Sequence, residues 1–196
     1  DRQWVSDRTC EAYGKHYTIG FPHEEYDSGR PRIVSPLYER LKAHRGVFGS
    51  KLGWERPNWF APDGMEPKDI YSMGRQNWFG PVGDEHRLVR EKVGIFDQSS
   101  FAKYELTGKD AQKALDWICA NDVSKPVGRL TYTQLLNSRG GIEADLTVAR
   151  LADDRFYIVT GTGFRTHDLA WIADHIAPGL DARLTDVTED YGTLSL

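Results

Sequence analysis

Apolar and polar positions alternate most regularly between Leu130 and Arg150. The run Leu130-Thr-Tyr-Thr-Gln-Leu-Leu136 is rich in β-branched and aromatic residues. After Asn137-Ser-Arg-Gly-Gly141, the positions Ile142, Ala144, Leu146 and Val148 alternate with Glu143, Asp145 and Thr147. A period of two on both sides of a Gly-Gly turn predicts a hairpin of half-buried strands over 130–151. Asp145 then points away from the apolar face, flanked by strand neighbours that hold it. A carboxylate on a strand is easily placed with the precision that a catalytic or ligand-orienting group needs. Pattern alone favours the blander reading, a solvated strand aspartate.

The same patterning predicts the elements around the hairpin. Phe101-Ala-Lys-Tyr-Glu-Leu106, closed by Gly108, reads as a strand. Ala111, Ala114, Leu115 and Ile118 follow helical i, i+3, i+4, i+7 spacing. Arg155–Thr160 reads as a strand, Leu169, Ile172, Ala173 and Ile176 share one face of a helix, and a last strand lies around 182–187. The order is strand, helix, strand, strand, strand, helix, strand. It predicts an α+β fold, a mostly antiparallel sheet with helices on one face.

Upstream, a helix is expected over 84–93, opened by Asp84-Glu85, whose charges suit a helix N-terminus. Residues 1–80 are poor in periodic structure and rich in Pro, Gly, Tyr and Trp. One helix is predicted there, Leu37–His44, with Ser35 as N-cap and Pro36 in the first position, ending near Gly46. The rest reads as loops and short strands. Two regions result: an irregular segment over 1–80 and a folded domain over 81–196.

Composition narrows the function classes. At 39% hydrophobic and 28% charged residues the chain is globular in type. It contains no apolar run of about 18 residues, so no membrane span is expected. A net charge of −4 with interspersed signs argues against nucleic-acid binding. Cys10 and Cys119 show no metal-like spacing and fit free thiols in a reducing compartment. The six histidines show no ligand spacing. His167 and His175, too far apart to share a metal, read as structural or surface residues. The aromatic run Gly53-Trp-Glu-Arg-Pro-Asn-Trp-Phe60 reads as a domain-junction plug in which Glu55 and Arg56 could pair. Gly161-Thr-Gly163 is half of a dinucleotide fingerprint and reads better as a tight strand-to-helix turn, one that also lets a flat ligand approach the backbone. No triad order or nucleophile elbow is present. An opening at Asp1 and a stop within Tyr191-Gly-Thr-Leu-Ser-Leu196 suggest a fragment of a longer polypeptide.

Three stretches carry a family resemblance: Ile95-Phe-Asp-Gln-Ser-Ser-Phe101, the hairpin from Leu130 to Val148, and Phe156-Tyr-Ile-Val-Thr-Gly161. They resemble the folate-binding fold of the glycine-cleavage T protein, an aminomethyltransferase. Ser35-Pro-Leu-Tyr38 and the run 53–60 resemble the central linker of dimethylglycine and sarcosine dehydrogenases, which join an FAD oxidoreductase domain to a T-protein-like domain.

The resemblance implies that an FAD domain before Asp1 oxidises an N-methyl amine to an iminium. Tetrahydrofolate would then capture the one-carbon unit as 5,10-methylenetetrahydrofolate. Asp145 matches the family aspartate that assists transfer, and Tyr132, Phe101 and the stretch Val159-Thr160-Gly161 match positions lining the pterin. A fixed carboxylate suits a cationic iminium and can accept the proton shed by the folate nitrogen. Gly161 stands where the T protein usually has Asn. The family's second half, with further folate ligands, would lie beyond Leu196, leaving half a site here. Expected partners are the amine and the FAD domain, with no nucleic acid, no membrane and no metal. The expected location is the cytoplasm, or the mitochondrial matrix in a eukaryote. Two alternatives are a non-catalytic scaffold or channelling module, and a folate-dependent demethylase using another methyl donor.

Overall fold

The computed structural model describes residues 2–196. It forms two compact units, one running through Gln98 and including Leu194–Leu196, the other Ser99–Thr193. The compositional break at residue 80 and this division do not coincide.

The first unit opens with a helix not expected from the sequence, α1 (Arg2–His16). It buries no residue, so it has no apolar stripe to betray it. Polar contacts hold it instead. The Glu11 carboxylate accepts the backbone N–H groups of Asp27 and Ser28 at 2.9 and 2.8 Å. The Arg8 guanidinium lies 4.7 Å over the Tyr26 ring and donates to the Ser28 carbonyl at 2.6 Å.

Next come α2 (Tyr38–Ala43) and the hairpin of β1 (Gly46–Lys51) and β2 (Trp54–Phe60). Ser35 is not the N-cap of α2, and Pro36 is not its first residue; Leu37 takes the cap position. The Ser35 hydroxyl accepts the Leu37 N–H at 3.2 Å and donates to Asp97. Buried Glu55 does not pair with Arg56, because neighbours on a strand point to opposite faces. It takes a two-pronged bond from Arg30, at 2.9 and 2.6 Å. Trp59 is buried with Val47 and Ala61, and its indole N–H donates to Asp69 at 2.7 Å. The helix α3 (Phe79–Glu91) starts ahead of the expected position, which leaves Asp84 inside it, paired to Arg87 rather than facing an open N-terminus. The short β3 (Phe96–Asp97) pairs antiparallel with Leu194–Ser195.

The second unit follows the predicted order. Its elements are β4 (Ala102–Thr107), α4 (Ala111–Ile118), β5 (Leu130–Leu136), β6 (Ile142–Ala152), β7 (Arg155–Thr160), α5 (Arg165–His175) and β8 (Arg183–Asp186). They form a five-stranded antiparallel sheet of order β5-β6-β7-β4-β8. One sheet face carries Tyr104, Leu106, Leu135, Ala144, Leu146, Val148, Phe156 and Ile158. These pack with Ala111, Ala114, Leu115 and Ile118 of α4 and Ile172 of α5 into one core. Both helices therefore cover one face, and the alternate residues of each strand form the other. Burial pushes the Cys119 thiol up to about 12, against a smaller opposing hydrogen bond from Thr133.

Candidate functional site

The hairpin turn owes its shape to Asn137 and two glycines. Gly140 has φ +79°, a conformation that side chains rarely adopt. A Cβ on Gly141 would come within 2.8 Å of the Asn137 amide. The Asn137 side-chain oxygen accepts the N–H groups of Arg139 and Gly141 at 3.0 and 2.9 Å. Its amide nitrogen donates to Glu143 Oε1 at 2.8 Å. The pairing of β5 with β6 slips between Leu135 and Leu136, a bulge beside Glu143. Bulges re-aim side chains, and Glu143 here reaches toward the first turn of α5: its Oε2 lies 3.7 Å from His167 Nε2.

Beyond the bulge the register places Gln134 opposite Asp145 and Tyr132 opposite Thr147. Thr147 in turn faces Val159 on β7. Directly opposed residues share a sheet face with Cβ atoms about 5 Å apart. Tyr132, Gln134, Asp145, Thr147 and Val159 thus make a contiguous polar and aromatic patch on the face away from the helices. Asp145 is exposed, and the Tyr132 hydroxyl donates to its Oδ2 at 3.0 Å. One carboxylate oxygen is held while the other remains available to a ligand.

The remaining expected residues divide. Phe101, half-buried, immediately precedes β4. Gly161 has ordinary extended backbone, φ −63° and ψ 143°, and leads into a short 3₁₀ turn over Thr162–Phe164. A Cβ there would meet the Phe164 ring at 3.3 Å, so that ring borders the space a side chain at this position would enter. The Thr160 side chain lies on the other face. It is 3% exposed and its hydroxyl donates to Asp168 Oδ2 at 2.5 Å. The alternation that sends Asp145 outward sends Thr160 inward. Only its backbone can line a ligand surface.

The sequence pattern did not single out Asp168, and it read the adjacent His167 as structural or surface. Asp168 is fully buried on α5, with Oδ2 on Thr160 and Oδ1 2.9 Å from His167 Nδ1. The signal was present, since position 168 lies one turn before Ile172 on the apolar stripe. A carboxylate there is costly unless it is hydrogen-bonded. Lys103 is likewise fully buried, and its ammonium donates to the carbonyls of Ser99 and Tyr191 at 2.7 and 2.8 Å. Toward the other end of the sheet, Arg155 makes a two-pronged bond to Glu105 at 3.0 and 2.6 Å, holding that carboxyl below its usual range despite partial burial.

A carboxylate and a phenol thus lie together on the face away from the helices, with Val159 one strand further on, across from Thr147. Residues 37–196 match the family model of the GCVT N-terminal domain. The chain belongs to this family. Residues 1–35 match the FAD dependent oxidoreductase central domain. The chain is 36% identical over 196 residues to mitochondrial dimethylglycine dehydrogenase of Rattus norvegicus, covering 99% of this chain and 23% of the relative. It is 33% identical over 232 residues to mitochondrial sarcosine dehydrogenase of Homo sapiens, covering 99% and 25%. It is 37% identical over 196 residues to 4-methylaminobutanoate oxidase (formaldehyde-forming) of Paenarthrobacter nicotinovorans, covering 100% and 24%. The chain thus spans about a quarter of the length of the curated relatives it matches. Among solved structures, glycine cleavage system aminomethyltransferase T from Bartonella henselae superposes with a TM-score of 0.61 at 27% identity, covering 80% of this chain and 38% of that one. Residues 37–196, which take in the whole second unit and part of the first, are accordingly T-protein-like, of the type found in dimethylglycine and sarcosine dehydrogenases.

Proposed function

We propose that the outward face of the second unit is one wall of a tetrahydrofolate site. There the one-carbon unit of an N-methyl amine, oxidised at an FAD domain of the same polypeptide, is transferred to form 5,10-methylenetetrahydrofolate. The observation that carries this reading is Asp145 held by Tyr132 on a rigid strand pair. The carboxylate stabilises the cationic iminium and orients the attacking amine. Tyr132 fixes the carboxylate and offers a ring face to the pterin, and Val159 supplies apolar contact. Phe101 and the backbone of Thr160 and Gly161 extend the surface. Functionally, residues 1–80 act as a linker and 81–196 as the first part of the folate-binding region. In a eukaryote the protein works in the mitochondrial matrix.

A second reading has its own support. Gly161 stands where the T protein usually has asparagine, and one relative is named for forming formaldehyde, the product expected if water rather than folate meets the iminium. On that reading the domain is a channelling scaffold. The match of residues 1–35 to a flavoprotein domain speaks against a demethylase without flavin. Calorimetry of the full-length polypeptide separates the two main readings. Saturable tetrahydrofolate binding, weakened at least tenfold in Asp145→Ala, supports the folate site. No heat of binding at high micromolar ligand contradicts it.

A further inference from the structure

The outward face of the sheet continues past Val159. Thr160 points inward to Asp168, so position 161 turns outward again, about 7 Å along the strand from Val159. The residue there is glycine, in extended backbone. Its neighbours on that face follow from the strand register. Thr160 lies opposite Ala102 on β4, which sets Phe101 beside Gly161. Thr147 lies opposite Val159 on the other side, and the same register carried two residues further sets Asp145 beside Gly161. Two contacts keep the following turn at this end of the sheet. The Thr162 hydroxyl lies 3.1 Å from Ser100 Oγ, in the loop that carries Phe101. Glu143, two residues before Asp145, lies 3.7 Å from His167 in the first turn of α5. Gly161 is thus a bare notch on the outward face, between a carboxylate and a phenyl ring.

Phe164 closes the notch on a third side. Its backbone N–H donates to the Gly161 carbonyl at 2.9 Å, a turn that folds the chain back on itself. The ring consequently stands 3.3 Å from the point where a Cβ of Gly161 would sit. That point faces outward, so the ring borders the Asp145 face. The side chain is 56% exposed. A large apolar ring with that much open area adds little to the core, and its free face suits a second flat ring. We propose that Phe164 is a stacking and specificity-determining residue of the folate site, which takes the flat pyrimidine part of the reduced pterin against its open face while Gly161 leaves room for it beside Asp145. The inference rests on the folate reading. Asp145 and Tyr132 supply charge and hydrogen bonding, whereas Phe164 and Gly161 select for flatness and thickness. No bond forms or breaks at Phe164, so it contributes to affinity and not to the rate at saturation.

The test uses the full-length polypeptide with tetrahydrofolate and the variants Phe164→Ala, Phe164→Leu, Phe164→Tyr and Gly161→Ala. Urea midpoints should stay close to wild type, because the ring is exposed and alanine adopts the Gly161 backbone without strain. By calorimetry, Phe164→Ala should bind about tenfold more weakly, Phe164→Leu, which keeps apolar bulk without the ring, about threefold, and Phe164→Tyr within about twofold of wild type. Gly161→Ala removes nothing and should still weaken binding about threefold, because its Cβ enters the notch and presses on Phe164. In Phe164→Ala the KM for folate in 5,10-methylenetetrahydrofolate formation should rise in step with the calorimetric loss, with kcat within about twofold of wild type. Wild-type affinity in Phe164→Ala overturns the inference and leaves the folate reading standing. So does a Phe164→Leu protein equal to wild type, a loss that follows a falling urea midpoint, or a rate not recovered at saturating folate. A wild-type protein that shows no saturable folate binding overturns the folate reading itself, and the inference with it.

Discussion

At the scale of residues, the face that Asp145 presents follows from alternation alone, and the hairpin pattern is enough to predict it. What alternation does not show is the partner. Tyr132 and Asp145 sit 13 positions apart, and only the strand register makes them neighbours. Tyr132→Phe deletes one hydrogen bond to an exposed carboxylate, so stability should change by less than about 1 kcal/mol. Folate-coupled product formation should fall several-fold, because the carboxylate loses its fixed orientation. Urea melts and product assays on the same preparation check both halves. Thr160 gives the opposite lesson: the resemblance sets the stretch 159–161 against the pterin, and the pleat turns this side chain inward to Asp168. Asn137 is the residue on which the turn depends. Asn137→Ala removes three side-chain hydrogen bonds and should destabilise the second unit by roughly 1–3 kcal/mol, measured by denaturant unfolding.

At the scale of elements, legibility tracks how each element is held. Those of the second unit bury apolar stripes, and their order could be read directly. The first helix is held by charge and backbone donors, so hydrophobic periodicity could not reveal it. Its attachment is pH-sensitive. Desolvation alone would raise the Glu11 pKa, but hydrogen bonds from Ser28 and Asp27, through their backbone N–H groups, and from Lys15 outweigh it and lower the group to about 2. A carboxyl depressed in the folded state stabilises fully above its unfolded value of about 4.3 and ceases to do so as pH falls toward the folded value. Acidification from pH 5 to pH 2 should therefore loosen α1 from the 24–30 segment. Limited proteolysis near residues 16–22 should accelerate over that window, and Glu11→Gln should show the same susceptibility already at pH 7. Cleavage rates equal at both pH values and in both proteins would contradict this account. In the second unit, Phe156 is fully buried between sheet and helices, and Phe156→Ala should cost about 3–5 kcal/mol in unfolding free energy.

At the scale of the whole molecule, the chain divides after Gln98, although its composition changes near residue 80. Composition reports where loops and aromatics are dense. Compactness reports which residues share a core, and α3 belongs with the first unit despite its regular structure. The family was legible because short, conformation-demanding stretches, the Gly-Gly hairpin above all, are spelled out residue by residue. The contacts of Asp168 with Thr160 and His167 were not, because they depend on a buried carboxylate linking a helix start to a strand end. The central claim is that Asp145 directs the one-carbon unit to folate. The most direct measurement is the ratio of 5,10-methylenetetrahydrofolate to formaldehyde per amine oxidised by the full-length enzyme, wild type against Asp145→Asn. The account predicts unchanged amine oxidation with the ratio falling at least tenfold toward formaldehyde; an unchanged ratio in the variant would contradict it.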